Sequence, residues 1–381
     1  MTAAAASGAA ADPPAGGRRR LLVVSPRPPR PDGQGDQRRA AVIVAALAPE
    51  WDVSTVSWLP DVETAGWRRW VDRPAALARA LVLWARSPLQ VAYVQARLPR
   101  RLAREISGDG HDQVVFVTTR ALPPSAPPGY VVDFVDDLGG AALRRASVTG
   151  GLRGAFWRWE GRRLRSLDRR AAARASVAIA CSEADAAAVS PAVAVVPLAA
   201  ATAPLPEEGD DVVFFGNLFY APNHEAATWI CDHLVAPLQR LGVGPGRIVL
   251  AGRRPRTALR ERAAAVGVRL RADVADLSDV LRGAAVVLAP MELGSGIQNK
   301  VLDAVGAGRA CVLTPHANAG IGLVDGHSAL VRERRPDEFA AAVATLAGDA
   351  GLRLRLAREA GRQLSRFRPE AVAAAWRAAL R

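Results

Sequence analysis

Two short windows of the sequence concentrate residue types that the rest of the chain avoids. The chain has 49 Arg but a single lysine, Lys300, and two of its four Asn are Asn217 and Asn223. Arginine does not reproduce the compact point charge of lysine, so a retained lysine indicates a site that needs one. A Gly-Ser-Gly turn at 294–296 precedes Lys300, between an apolar run and a helical pattern. Backbone amides at such a turn, followed by a cation, predict a binding site for a phosphate or diphosphate.

The elements that must position these residues alternate along the chain. Short β-branched runs alternate with helical patterns, which is typical of α/β domains with parallel sheets. We therefore predict two Rossmann-like, doubly wound domains that face a central cleft, where such folds bind ligands. The predicted segments are a disordered leader at 1–17, a first domain at 18–198, a linker at 199–210, a second domain at 211–366, and a C-terminal helix at 367–381 that could pack back on the first domain.

Three predicted helices bear directly on the site. The longest helical patterns cover about 154–174 and 224–241. Around the lysine, the pattern predicts a strand at 285–289 and a helix at 297–306. Lys300 is thereby placed in the first turn of a helix that follows a buried strand.

Composition and motifs exclude several classes of protein. Half of the residues are apolar, so a sizeable core can form, and the three isolated cysteines exclude a disulfide scaffold and a zinc domain. Unpaired cysteines fit a cytoplasmic protein. No GxGxxG follows a strand, and GxxxxGK(S/T), GxSxG and HExxH are absent, which argues against a dehydrogenase, NTPase, hydrolase or metalloprotease. No apolar run reaches the roughly 20 residues of a membrane span.

The net charge of +13 does not by itself indicate a nucleic-acid partner. The arginines are scattered and lack interleaved aromatic residues, so we expect a solvated surface and no nucleic acid. A nucleic-acid binder is the alternative that net charge alone favours. The predicted helix at 154–174 is rich in Arg and contains Phe156, Trp157 and Trp159, so peripheral contact with the inner face of a membrane is a second expectation.

The sequence at 294–314, GSGIQNKVLDAVGAGRACVLT, resembles the signature segment of glycosyltransferase family 4, the glycosyl transferases group 1, which have the GT-B fold. Its GIQNKVLD is similar to the GIQNKVLE of sugar transferases from exosortase-associated exopolysaccharide systems. Residues 215–226 and 28–39 resemble two further segments of that subgroup. In order along the chain, the resemblance spans roughly 21–365.

The resemblance implies a retaining transfer from a nucleotide-diphosphate sugar to a saccharide, a lipid-linked saccharide or a natural product. It implies no metal and no cofactor, with the donor on the second domain and the acceptor on the first. The catalytic residues it implies are Lys300, Glu292 and Asp133. The implied donor-binding residues are Gly216, Asn217, Asn223, Arg253, Gly294, Ser295, Gly296, Gln298, Asn299 and Asp303, the last as a ribose-binding acid. The implied acceptor and phosphate loop contains Gly33, Gly35 and Arg39.

Departures from the family pattern keep alternatives open. Ser295 stands where the family has the first acid of a two-acid motif, and Glu292 is expected to substitute for it. Asn217 and Pro222 stand where many members carry Arg and Lys. A non-catalytic subunit that binds sugar nucleotides is one alternative, and a nucleotide-sugar epimerase of the same fold is another. Thr118 and Thr119 join Asp133 as acceptor-side candidates, whereas Asp136-Asp137 reads as an ordinary loop.

Overall fold

The computed structural model describes residues 18–31, 33, 35–59, 74–108, 110–200, 204–205, 209–274, 276–293 and 297–381. The predicted leader and the Gly-Ser-Gly turn at 294–296 lie outside these residues. Within them the chain forms two six-stranded sheets whose strand pairs are all parallel. The α/β fold with two doubly wound domains is therefore confirmed.

The first domain contains the elements β1 (Arg19–Val24), α1 (Gly35–Leu47), β2 (Trp51–Val56), α2 (Pro74–Trp84), α3 (Leu89–Gln95), α4 (Arg100–Ile106), β3 (Gln113–Val117), β4 (Val131–Asp133), α5 (Leu138–Val148), α6 (Gly151–Arg174), β5 (Val177–Ala180), α7 (Glu183–Val189) and β6 (Ala194–Val195). Its sheet has the order β2-β1-β3-β4-β5-β6. The chain winds outward from β1 to β2 and then returns to β3, so the winding direction reverses between β1 and β3.

The second domain contains β7 (Asp211–Asn217), α8 (Ala221–Trp229), α9 (Val235–Arg240), β8 (Ile248–Arg253), α10 (Thr257–Ala265), β9 (Arg269–Ala272), α11 (Leu277–Arg282), β10 (Ala284–Ala289), α12 (Asn299–Gly306), β11 (Ala310–Leu313), α13 (Pro315–Asn318), β12 (Leu330–Val331), α14 (Pro336–Gly348) and α15 (Ala350–Gln363). Its sheet has the order β12-β11-β10-β7-β8-β9, so the winding reverses between β7 and β10. Every residue of β10 is buried, as expected for a central strand covered by helices on both faces.

The last helix, α16 (Pro369–Ala379), returns to the first domain. Its Val372 and Trp376 belong to the apolar core of the first sheet, together with Ile43 and Leu47 of α1. Helix α16 starts with Pro369 at its first position, where the missing N–H costs no hydrogen bond. The chain therefore passes between the domains twice, once between β6 and β7 and once before α16.

Sequence periodicity missed the helices α5, α7 and α13, and it merged α8 with α9. The helix at 154–174 begins at Gly151 and is preceded by α5, against which it packs. A Cβ atom on Gly161 would lie 3.0 Å from the Gly139 carbonyl oxygen, so this helix crossing needs glycine. The predicted helix at 224–241 is interrupted by a π turn at Ile230–Leu234. Pro237 follows this turn, and its lack of an N–H explains why a regular helix cannot continue there. None of the helices in the described ranges is long and apolar enough to cross a membrane.

Candidate active site in the interdomain cleft

In doubly wound sheets, ligands bind beyond the carboxyl ends of the strands where the winding reverses. In the second domain this point is flanked by Asn217 at the end of β7 and by Met291 and Glu292 after β10. In the first domain it is flanked by the residues after Val24 and by Thr118 after β3. Both sequence windows that concentrate rare residues therefore reach one crevice of the second domain.

Lys300 lies in the first turn of α12 and is 7% exposed. Its Nζ donates a hydrogen bond to Asn223 Oδ1 at 2.6 Å and approaches Met291 Sδ at 3.2 Å. The Nζ also lies 4.4 Å from the centroid of the Phe214 ring. No ion pair involves Lys300 among the described residues, and burial lowers the pKa of Lys300 to about 7. The rare lysine, methionine and asparagine thus contact one another at the base of the crevice.

A second hydrogen bond holds Asn223 in place. Its Nδ2 donates to the Asn217 carbonyl oxygen at 3.1 Å, so the end of β7 positions the acceptor of Lys300. Gly216 has a φ of +152°, and a Cβ there would lie 2.8 Å from Asn223 Nδ2. Glycine is needed here because a side chain would displace Asn223. The parallel pairing of β7 with β8 places the half-buried Arg253 opposite Asn217.

Glu292 lies at the rim of this crevice and is held by Arg334, which sequence reasoning missed. Arg334 Nη2 lies 3.2 Å from Glu292 Oε2, and Arg334 Nη1 donates to both carboxylate oxygens of Glu225 at 2.7 and 2.8 Å. The guanidinium also lies 5.3 Å from the Trp229 ring centroid. Nothing in the sequence distinguished this residue, since it is one of 49 Arg.

Asp303, the predicted ribose-binding acid, contacts the first domain. Arg38 Nη1 and Nη2 each donate to one of its carboxylate oxygens at 3.0 Å, a bidentate pair across the cleft. Both side chains are largely buried. Gln298 and Asn299 begin α12 and are half-buried, while Gly294, Ser295 and Gly296 lie outside the described residues.

Arg39 and Asp133 are placed together, but beneath the surface of the first domain. Arg39 Nε donates to Asp133 Oδ2 at 2.6 Å, and both side chains are fully buried. Arg39 also donates to the carbonyl oxygens of Val196 and Pro197, and its guanidinium lies 5.0 Å from the Trp376 ring centroid. Neither side chain reaches the cleft, since both are fully buried. Through these contacts the Arg39–Asp133 pair connects α1, β4 and α16.

The predicted loop glycines have different reasons to be glycine. A Cβ on Gly33 would lie 2.7 Å from Gln37 Cβ, so a side chain there would collide with the first turn of α1. Gly35 starts α1 and has open space around it. The turn before α1 therefore requires glycine at one of these two positions.

The carboxyl edge of the first sheet is strained. Thr118 after β3 and Val135 after β4 have φ values of +69° and +58°, which β-branched residues rarely adopt. Such strain persists only where surrounding structure imposes it, and it concentrates at functional sites. Asp136 follows Val135, and burial raises its pKa to about 6, with Arg120 opposing that rise.

One further acid, Asp168, and one tyrosine, Tyr220, have raised pKa values near the carboxyl edge of the first sheet. Asp168 of α6 is buried, and desolvation raises its pKa to about 7, with a hydrogen bond from Thr119 opposing the rise. Burial also raises the pKa of Tyr220 in the second domain, and the Asp136 charge adds to that rise. No cluster of three or more His, Cys, Asp or Glu suited to a metal occurs in the described part of the chain.

Residues 209–349 match the family model described as Glycosyl transferases group 1. This range covers the second domain as far as the end of α14 and contains Lys300, Asn223, Glu292 and Arg334. No curated protein sequence matches the chain.

Solved structures resemble the chain over nearly its whole length. An Anabaena protein, HepE, in complex with UDP and glucose has a TM-score of 0.59 at 15% identity, covering 95% of this chain and 99% of its own. A sucrose-phosphate synthase from Thermosynechococcus elongatus has a TM-score of 0.63 at 13% identity, covering 93% and 97%. WaaG, a glycosyltransferase involved in lipopolysaccharide biosynthesis, has a TM-score of 0.57 at 14% identity, covering 94% and 98%.

These likenesses show that the chain has the GT-B fold of two Rossmann-like domains. The family match of residues 209–349 supports glycosyltransferase activity.

Proposed function

We propose that this protein transfers a sugar from a nucleotide-diphosphate sugar to an acceptor hydroxyl, with retention and without a metal. The observation that carries the proposal is the buried Lys300, held by Asn223 and Met291 where the winding of the second sheet reverses. The site lies within the range that matches the glycosyltransferase family. Retention, metal independence and the relationship to exosortase-associated sugar transferases rest on the sequence resemblance at 294–314.

The chemistry assigned to Lys300 is stabilisation of the departing diphosphate. Negative charge grows on this group as the glycosidic bond breaks, so a fixed cation stabilises the transition state more than the ground state. An ammonium has three N–H donors, and Asn223 and Met291 take two of them. Within the described ranges the third has no partner, and we assign it to a phosphate oxygen. The Gly-Ser-Gly turn at 294–296 would add backbone amides, and Asp303 would bind the ribose.

The acceptor is assigned to the strained edge of the first domain. Asp136 follows Val135 there, and Arg120 donates to Thr118 Oγ1, so a carboxylate and a guanidinium that can bind sugar hydroxyls lie at this edge. Asp133 would act through Arg39 as a positioning residue, because the two are buried as a pair. A cytoplasmic location fits this function, and the three unpaired, buried cysteines support it.

The test is release of nucleoside diphosphate from a panel of UDP-, GDP- and dTDP-sugars. Wild-type protein is compared with Lys300→Ala and Lys300→Arg, and Arg355→Ala serves as an exposed control. We expect release from one donor, a loss of about 100-fold or more in Lys300→Ala, and no rescue by the bulkier Lys300→Arg. The control should behave as wild type.

Two outcomes would redirect the proposal. Tight nucleotide binding without release, in the presence of a range of acceptors, would favour the non-catalytic subunit suggested by Ser295, Asn217 and Pro222. Absence of both binding and release would remove the donor site from this crevice.

A further inference from the structure

Arg334 lies two residues before α14 and binds two segments of the second domain at once. Its Nη1 donates to both carboxylate oxygens of Glu225 in α8, at 2.7 and 2.8 Å. Its Nη2 lies 3.2 Å from Glu292 Oε2, and its Nη1 lies 3.5 Å from the Pro290 carbonyl oxygen. Glu292 and Pro290 both belong to the segment after β10. One guanidinium therefore joins α8 to that segment.

The two segments that Arg334 joins are the same two that bind the ammonium of Lys300. Asn223, whose Oδ1 accepts from Lys300 Nζ at 2.6 Å, lies in α8 two residues before Glu225. Met291, whose Sδ lies 3.2 Å from the same Nζ, stands between the two residues that Arg334 contacts after β10. The spacing between the two partners of Lys300 is therefore set where Arg334 binds.

Arg334 is held more firmly than an ordinary surface arginine. Its side chain is 13% exposed, and its guanidinium lies 5.3 Å from the centroid of the Trp229 ring. That ring packs edge-on against Phe339 of α14, with the two centroids 5.7 Å apart. Exposed ion pairs contribute little because both side chains move freely. Here a bidentate carboxylate and an aromatic ring fix the guanidinium, so the contact can hold two elements in place.

We propose that Arg334 is a positioning residue for Lys300, because it holds α8 and the segment after β10 at the spacing that buries the ammonium. Asn223 and Met291 reach the ammonium from these two elements, and Phe214 reaches it from β7. These three side chains, the lysine seat, carry no charge. Their spacing therefore decides how well water is excluded from the ammonium. Arg334 acts through Lys300 and does not itself contact the donor.

The charged groups near the lysine seat allow position to be separated from electrostatics. Arg334 is shared by two carboxylates, those of Glu225 and Glu292. In α12 itself, Asp303 lies one turn beyond Lys300 and is paired with an arginine of the first domain. The cation and the anions can thus be removed one at a time.

Position and charge predict different results for the two partners of one ion pair. Loss of Arg334 should loosen the seat and admit water, which raises the pKa of Lys300 because water favours the ammonium. Loss of Glu225 should loosen the same seat and raise the pKa of Lys300 as well. If charge alone mattered, loss of the Glu225 anion would lower the pKa of Lys300 instead.

The test follows the titration of the single lysine of the full chain. Lysine isotopically labelled at Cε gives one side-chain NMR signal, whose chemical shift is recorded from pH 5.5 to 10.5. We expect the wild type to titrate at about pH 7. Arg334→Met and Glu225→Met should each titrate at least about one pH unit higher. Circular dichroism shows whether the variants are folded.

The neighbouring Arg335 provides a matched control. It is exposed and pairs only locally with Glu338, at 2.8 Å. Arg335→Met removes the same charge and the same hydrogen-bonding groups as Arg334→Met, one residue along the chain. Its lysine signal should titrate as in the wild type.

A second readout rests on the proposed transfer reaction. We expect kcat for donor turnover to fall about 10-fold or more in Arg334→Met, with no such loss in Arg335→Met. The double variant Arg334→Met/Lys300→Met should be no slower than Lys300→Met alone, because Arg334 acts through that ammonium. The titration needs no donor, so it stays decisive even if the transfer reaction is not found.

Three results would overturn the proposal. One is a titration that is unchanged in Arg334→Met, or a wild-type lysine that already titrates near its ordinary pKa of about 10.4. Another is a pKa that rises in Arg334→Met and falls in Glu225→Met, which would show that Arg334 acts only as a charge. The third is a further loss of kcat in the double variant, which would assign Arg334 a role apart from Lys300.

Discussion

At the scale of single residues, Lys300 shows how the site acquires its chemistry. Its ammonium is buried against Met291 and Phe214, and among the residues that the structure describes only Asn223 offers it an oxygen. Burial lowers the pKa of Lys300 to about 7, so this lysine is close to half-ionised at neutral pH. A bound diphosphate supplies the missing negative charge and favours the protonated form.

This coupling predicts a pH dependence of donor transfer. We expect kcat/KM for the donor to fall above about pH 7, because donor-free enzyme then loses the Lys300 proton. The fall in kcat should come at higher pH, since bound diphosphate raises the pKa of Lys300. Initial rates from pH 5.5 to 10 measure both profiles. Profiles of kcat and kcat/KM that coincide would contradict the coupling.

The same burial predicts a pH-dependent difference in stability. Between pH 7 and 10 the unfolded chain keeps the Lys300 proton that the folded chain has lost, so the free energy of unfolding rises with pH. Relative to Lys300→Met, the wild type should gain at most about 1.4 kcal/mol per pH unit in this range. Urea unfolding at pH 7, 8 and 9 measures the difference. A constant difference would show that Lys300 does not titrate there.

Much of this site could be predicted from the sequence at the residue scale. The composition of the chain made Lys300, Asn223 and Met291 conspicuous, and the structure brings all three into contact. Arg334 could not be found this way, because an arginine carries no signal among 49. Nor could the partners of Arg39 and Asp303 be predicted, since they depend on contacts that span 94 and 265 residues.

At the scale of elements, the sheets were predictable and the helix packing was not. Strands such as β10 are buried apolar runs, which sequence alone identifies. Helix α5 was missed because its Gly139 and Gly140 weaken the helical pattern, although its packing against α6 needs Gly139. The packing of α16 against α1 involves Arg39. Its guanidinium lies against the Trp376 ring of α16, and its Nε donates a hydrogen bond to Asp133 of β4.

Removing Arg39 should therefore destabilise the first domain. Arg39→Ala leaves the buried Asp133 carboxylate without its cation and with the hydrogen bond from the Val135 N–H, which should cost about 3–5 kcal/mol of unfolding free energy. Arg335→Ala removes an exposed pair with Glu338 and should cost less than about 1 kcal/mol. Denaturant unfolding measures both. Equal costs for the two variants would show that the buried pair does not stabilise the contact between α1 and α16.

At the scale of the whole molecule, the pair between Arg38 and Asp303 joins the two domains across the cleft. It is bidentate, largely buried, and joins α1 of the first domain to α12 of the second. Asp303 is also the acid expected to bind ribose. The Asp303 carboxylate is therefore expected to take part both in the contact between the domains and in nucleotide binding.

Breaking this pair should loosen the contact between the two domains. We expect Arg38→Ala to raise the radius of gyration by roughly 1 Å on the ~21 Å expected for this chain length. Small-angle scattering of the nucleotide-free protein measures the change, with Arg27→Ala, within the first domain, as control. An unchanged radius in Arg38→Ala would mean that other contacts suffice to hold the domains together.

The most direct test of the central claim is the steady-state kinetics of donor turnover in Lys300→Met, which has similar length and no charge. If Lys300 stabilises the departing diphosphate, kcat should fall about 100- to 1,000-fold, with a much smaller change in KM. A kcat within about twofold of wild type, in a variant whose unfolding shows that it is intact, would contradict this role for Lys300.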